Sequence, residues 1–403
     1  MFMKSSYLVF LLLILVLSVN SQTTDSIYQK RVLPKTDIEL VFSYYNQDGN
    51  NSAVTGGIGT EELNVYAPGF NLTHSSGYNI YSFDGGLDII TSASTDMIDA
   101  RVSSASRTDM RSYANINYSR KLKKSDVILG LGTGFSLESD YLSFPFRLSV
   151  DYVEPSGMRQ YEVSFQAYFD DLRWGRLNPD YRRPVGLVYP AELRYKEWYD
   201  VYKRYSYNLK LGFVQVINKR MNIGIFPGLI YQQGLLATPF HRVYFTNDSA
   251  RVENFPKERW RFPLGVRVNY FAGSITILKA MAGFYKDNFG ITSGNFDLEA
   301  AFRIKPQFTL APFIRIYSQT ASTYFGSYGN HDPTEIYYTS DYDLSQFQSF
   351  KTGIVFRYVP LNYIGKSSVF QELSLRYAFF KRSNKLSAHM VTMAIRFSRE
   401  SAK

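Results

Sequence analysis

The chain has no cysteine among its 403 residues, which removes disulfides, thiolate metal sites and cysteine nucleophiles together. Histidine is nearly as scarce. The four, His74, His241, His331 and His389, are too far apart in sequence for a helical histidine-pair zinc motif. Glycine loops that cradle phosphate and dinucleotide fingerprints are missing as well. Charged residues make up 20%, below the roughly 25% usual for a soluble globule. No motif demands a cofactor. The composition disfavours a disordered chain, a disulfide scaffold and a coiled coil.

What is abundant is aromatic: 33 Tyr and 31 Phe against 3 Trp. The first residues set the compartment. Met1 to Ser21 read as a secretory signal peptide, with Lys4 in the n-region, an apolar core over 8–19 and a cut near Gln22. That core is too short for a membrane helix, which takes about 20 residues, and no apolar run of that length follows. Residues 22–403 therefore read as one exported unit. The formal charge of +10 loses only Lys4 with the signal. In that compartment the fitting partners of a basic surface are outer-membrane lipid and lipopolysaccharide, not nucleic acid.

Hydropathy alternates with period two through the whole length. Phe146, Leu148, Val150 and Tyr152 interleave with Arg147, Ser149 and Asp151; Val391, Met393, Ile395 and Phe397 interleave with Thr392, Ala394 and Arg396. Successive strand side chains point to opposite faces, so each segment has an apolar and a polar face. Sixteen such segments are read at 35–46, 61–74, 78–91, 110–121, 126–137, 142–153, 158–169, 202–217, 221–234, 260–271, 274–286, 290–304, 307–319, 348–360, 368–380 and 386–398. Each is long enough to span a membrane as a tilted strand, which takes about 9–11 residues. Tight turns alternate with long loops at 92–109, 170–201, 235–259 and 320–347.

That is the threading of a transmembrane antiparallel β-barrel, with short periplasmic turns and long extracellular loops. Fourteen strands is the alternative count. A soluble β-sandwich also alternates, but its strands average five or six residues. Trp174, Trp198 and Trp260 all fall at outer strand ends, where an aromatic girdle sits. The six residues after Phe397 depart from barrels that end on an aromatic.

Several stretches are similar to a known bacterial family: Phe42-Ser43-Tyr44-Tyr45-Asn46-Gln47-Asp48-Gly49-Asn50-Asn51, Thr55-Gly56-Gly57-Ile58-Gly59-Thr60-Glu61, Thr238-Pro239-Phe240-His241-Arg242-Val243-Tyr244-Phe245 and Ser340-Asp341-Tyr342-Asp343-Leu344-Ser345. The chain resembles exported proteins of about four hundred residues, catalogued as a domain of unknown function and read as outer-membrane barrels. Members of that family look to be encoded beside a flavin-transferring enzyme, a thioredoxin-like protein and a small lipoprotein. The resemblance thus implies a link to envelope redox chemistry and a lipoprotein or redox partner.

On the inward parity fall Arg147, Lys210, Arg267, Arg303, Arg315, Lys351, Arg357, Arg376 and Arg396, against Asp151, Glu162, Asp297, Glu299 and Glu372. Rings of like charge set channel selectivity, so an open lumen would favour anions; paired across it, the same charges would plug it. Phe226, Ile230 and Val355 share that parity and argue against a wide, empty channel. The 48–62 segment could offer oxygen ligands for Ca²⁺ from Asp48, Asn50, Asn51, Glu61 and Glu62, or simply be a tight loop of residues that accept positive φ. Small hydroxyl residues in 92–109 could fold inward; aromatics among cations in 173–205 suit lipopolysaccharide phosphates or a partner. Catalysis has one weak candidate, His389 two residues from Ser387, so an enzyme is not expected. Two functions follow: a pore for small hydrophilic, anionic solutes, or a closed barrel serving as a scaffold.

Overall fold

The computed structural model describes residues 33–92, 108–123, 125–138, 141–172, 202–239, 241–360, 363–364 and 368–400. The expected signal peptide lies outside them. Sixteen long strands build the wall: β1 (Lys35–Asp48), β2 (Leu63–Ser76), β3 (Asn79–Ser92), β4 (Thr108–Lys121), β5 (Val127–Leu137), β6 (Leu142–Val153), β7 (Arg159–Asp171), β8 (Lys203–Asn218), β9 (Met221–Gly234), β10 (Glu258–Ala272), β11 (Thr276–Asp287), β12 (Thr292–Lys305), β13 (Phe308–Gln319), β14 (Phe347–Tyr358), β15 (Ser368–Arg382) and β16 (Ser387–Glu400).

Each strand pairs antiparallel with its chain neighbour. β16 returns to pair with β1 from Lys35↔Glu400 to Asp48↔Ser387, so the sheet closes. Closure satisfies every strand's backbone groups within the wall, the condition for a sheet in hydrocarbon. The alternation locates all sixteen strands to within two residues at each end, and the fourteen-strand count falls because every segment finds two partners. Short links gather at one end (77–78, 219–220, 306–307), with 359–367 the longest of that set. The loops 49–62, 235–257 and 320–346 gather at the other. A two-residue strand, Tyr363–Ile364, adds to β15 within the 359–367 link.

Residues opposite one another across a ladder share a face, so the alternation propagates around the ring. One face exposes Leu40, Phe42, Phe70, Leu131, Phe146, Val163, Leu211, Phe262, Ile316 and Leu375. A soluble protein does not present so continuous an apolar surface; moved from water to hydrocarbon, each such side chain gains about 1.5–3 kcal/mol.

Aromatic pairs bound this band at both ends. Near the short turns stand Tyr81–Tyr118 (5.2 Å between centroids), Phe308–Tyr358 (4.9 Å) and Phe370–Phe397 (5.4 Å). Near the long loops stand Tyr207–Tyr231 (6.4 Å) and Tyr231–Trp260 (4.4 Å). An apolar band between two aromatic girdles on a closed barrel is the exterior of an outer-membrane protein. The barrel spans the outer membrane, its apolar face against lipid.

The opposite face is not uniformly polar. Ala301, Ala311, Phe313, Val355 and Ala378 form a buried cluster inside β12–β15, with Ile277 and Met390 packed against it.

Candidate functional site

The fourteen charges read from the sequence all fall on the face opposite the apolar band. Several meet partners across the ladder. Asp297 and Arg315 pair at 2.5 Å, and Glu299 sits between Lys279 (2.8 Å) and Arg357 (3.7 Å). Arg396 reaches Glu39 at 2.9 Å and also faces Glu372 in register. Lys351 stands opposite Arg315, while Arg376 stacks on Phe313 at 4.1 Å and Arg267 on Phe226 at 4.9 Å. Arg147 faces Gln166, Asp151 faces Glu162, Lys210 faces Ser164 and Gly228, and Arg303 faces Thr309.

A second belt lies nearer the long loops, and sequence reasoning missed it. Arg204 pairs with Asp170 at 2.8 Å, and Arg111 with Asp88 at 2.8 Å. Arg259 pairs with Asp287, whose carboxylate also accepts from Phe289 N, Ile291 N and the Tyr285 hydroxyl. The parity of Lys210 and Arg267 already pointed to Arg204 and Arg261. Asp170 and Arg259 escaped because each sits one residue beyond its expected strand.

Three loops fold together at the long-loop end. Within 235–257 a small hairpin pairs Arg242–Tyr244 with Ala250–Val252. It docks on 320–346 through Asn254 and Tyr338, which exchange backbone hydrogen bonds at 3.2 and 2.9 Å, and through Thr246 N donating to His331 O at 3.0 Å. Val243, Phe245 and Tyr338 form a buried core between the two loops. Phe245 meets Tyr338 edge-on at 4.8 Å and carries the Arg251 guanidinium on a face at 4.1 Å. A second core joins Ala237, Phe255 and Phe289 to Tyr324 and Leu344.

The 49–62 loop closes against both. Gly56 and Gly57 hold φ of 83° and 86°, left-handed values that favour glycine. A Cβ on Gly56 would lie 2.6 Å from the Tyr244 ring, and one on Gly57 2.7 Å from Ser340 O. These glycines are therefore a packing surface as well as a turn. Asn51 donates to Asn384 O at 2.7 Å. Glu61 turns toward the other loops, where burial, reinforced by Asp343 and Asp341, pushes its pKa up to about 7 despite Arg382 and His241.

The wall across from this bundle is different. On β5 the polar register reads Gly130, Gly132 and Gly134, and a recess of about 510 Å³ opens beside it, lined by Asp84, Arg111, Tyr113, Asn115, Arg147, Gln166 and Tyr168. No described residue of the three bundled loops lines it. A second recess of about 780 Å³ lies under the bundle. It is bounded by Glu162, Lys210, Phe226, Arg259, Arg261 and Tyr285, with Asp343 and Leu344 from the 320–346 loop. There the β9–β10 ladder skips Phe262 and Pro263 between the Arg261–Ile230 and Leu264–Pro227 pairs, in unchanged register.

The remaining candidates separate. Trp260 stands exposed on the lipid-facing side beside Tyr231 at the long-loop end; Trp174 and Trp198 lie outside the described residues, as do most of 92–109 and 173–205. Each histidine has a local partner: His74 with Thr36 (2.9 Å), His241 with Glu253 (3.6 Å), His331 with Glu335 and Thr339 O, and His389 with the Tyr377 hydroxyl (2.9 Å).

Residues 92–377 match the family described as "Protein of unknown function (DUF3570)". The chain belongs to the DUF3570 family. The match contains the 235–257 and 320–346 loops and both recesses' basic residues, while β1, β2 and the 49–62 loop precede it. No curated protein matches the sequence. Among solved structures this DUF3570 barrel is similar to OpdK of Pseudomonas aeruginosa, crystallised with vanillate (10% identity, 91% of this chain and 98% of that one, TM-score 0.43). It is also similar to OccD3 (OpdP) of the same organism (10%, 94% and 96%, TM-score 0.45) and to a BenF-like porin of Pseudomonas fluorescens Pf-5 (9%, 90% and 98%, TM-score 0.43).

Proposed function

We propose that this barrel is a pore for small hydrophilic solutes, with its passage along the β3–β8 side of the lumen. The observation that carries the reading is the glycine-flattened β5 wall with its polar recess, which no described residue of the bundled loops enters. Arg147, Asp151, Glu162 and Lys210 line that side in this reading. Arg267, Asp297, Glu299, Arg303, Arg315, Lys351, Arg357, Glu372, Arg376 and Arg396 line the other. Bases outnumber acids on this face, and the second belt sets Arg111, Arg204, Arg259 and Arg261 against Asp88, Asp170 and Asp287, so the net positive field in the bore favours anions.

Single-channel recording in a planar bilayer under a salt gradient tests this. Discrete conductance steps with an anion-favouring reversal potential are expected. Silence from folded protein overturns the pore and leaves a closed scaffold whose outer loops receive a lipoprotein or redox partner.

A further inference from the structure

The loop bundle holds chemistry that conduction does not use. Because Arg242 pairs with Val252, the flanking His241 and Glu253 face each other across the base of the small hairpin, and Glu253 N donates to His241 O at 3.1 Å. Their side chains follow, with His241 Nδ1 at 3.6 Å from Glu253 Oε1. Asp341 arrives from the other loop. The Thr339 hydroxyl that donates to Glu253 also accepts from Asp341 N, at 3.0 Å. One donor atom from each of His241, Glu253 and Asp341 then lies within 4.8 Å of the others.

The three are held rather than loosely gathered. Glu253 is 2% exposed, and Thr238 N donates to its Oε2 at 2.8 Å. Asp341 commits Oδ1 to Asp343 N at 2.8 Å, capping the short helical turn Tyr342–Leu344. Such outer partners orient metal ligands where an ion is bound. The local charge balance is negative: Glu61, Glu253, Asp341 and Asp343 stand against His241 and Arg382.

We propose that His241, Glu253 and Asp341 bind one divalent transition-metal ion of the zinc type, which clamps the 235–257 loop to the 320–346 loop. The donor set decides the class. An imidazole nitrogen with two carboxylates suits zinc, whereas calcium and magnesium take oxygen alone. Metal–ligand bonds of about 2.0–2.2 Å place tetrahedral donors about 3.4 Å apart. The His241–Glu253 pair already has that spacing, and a donor of Asp341 lies within 4.8 Å of both. The proposal does not depend on whether the barrel conducts.

The test reads bound metal, not transport. Purified folded barrel is stripped with EDTA, titrated with Zn²⁺, Ca²⁺ or Mg²⁺ by calorimetry, and its retained metal is measured after desalting. One Zn²⁺ per chain is expected, with no comparable binding of Ca²⁺ or Mg²⁺. His241→Gln and Asp341→Asn should each weaken Zn²⁺ binding by at least about tenfold. Both are first shown to keep the heat-resistant compact form of a folded barrel. His389→Ala, on the lipid-facing wall, should bind like the parent. Absence of Zn²⁺ from the parent, unchanged affinity in folded His241→Gln, or equal affinity for Ca²⁺ overturns the site.

Discussion

Two arcs of the same wall behave differently. Along β9–β15 the inner register carries Phe226, Met281, Tyr285, Phe313 and Tyr317, a buried apolar cluster packs inside β12–β15, and the bundled loops cap the long-loop end over the larger recess. Along β3–β7 the same register includes Gly130, Gly132 and Gly134, and a polar recess remains. Both arcs obey one period-two pattern and show lipid the same apolar face. The pattern makes the wall; the size of the inner side chains and the lengths of the loops decide where that wall encloses space.

Loosening the cap over the first arc should have the largest effect. Phe245 is 1% exposed between the two large loops, and Phe245→Ala should cost the bundle about 3–5 kcal/mol without touching a barrel ladder. Protease should then cut within 242–252 and 326–338 while the barrel stays heat-resistant, and conductance should rise. Loops that remain protected would show that something else holds this arc.

Filling the glycine-lined arc comes next. A Cβ on Gly132 would lie 2.1 Å from Asn117 Oδ1, the movable tip of a side chain. Gly132→Trp should therefore be tolerated at about 1–3 kcal/mol, visible in the unfolding midpoint, and should lower conductance markedly. An unchanged conductance would place the passage elsewhere.

The smallest effect is electrostatic. Glu61 is raised from 4.5 to about 7 by burial first and by Asp343 and Asp341 second. Below 4.5 it is protonated whether or not the loop is docked, so it contributes nothing there. Between 4.5 and 7 the undocked loop binds fewer protons, and docking weakens as pH rises; above 7 the penalty is complete. In EDTA, proteolysis of the 49–62 loop should be faster at pH 8 than at pH 5. Glu61→Gln should remove most of that difference, a change below about 1 kcal/mol for a partly solvated charge.

The wall was legible because a strand in lipid must show one apolar face, and that constraint writes itself into every second residue. The inward placement of the charges follows the same parity, as does that of Phe226, Ile230 and Val355. Ends were less legible. Asp170 and Arg259 sit where alternation fades into loop, and both belong to the second belt. The bundle left almost no periodic trace: Val243, Phe245 and Tyr338 come together through a three-residue hairpin and two isolated bridges. Gly56 and Gly57 read as turn residues, and nothing in their composition announced contact with Tyr244 and Ser340. His241 and Glu253 acquire meaning only once the hairpin between them is known.

The seam between β1 and β16 has a consequence for assembly. Its partners are the most distant in the chain: the Ser43–Thr392 side-chain bond spans 349 residues, and that from Asn51 to Asn384 O spans 333. Until β16 is available, β1 and β15 each offer an unpaired edge, which is costly in lipid and open to the wrong neighbour. Contacts of such long range also form slowly. The chain must therefore be kept apart from both bilayer and other chains while nearly all of it is already made, and insertion waits on the strand that arrives last.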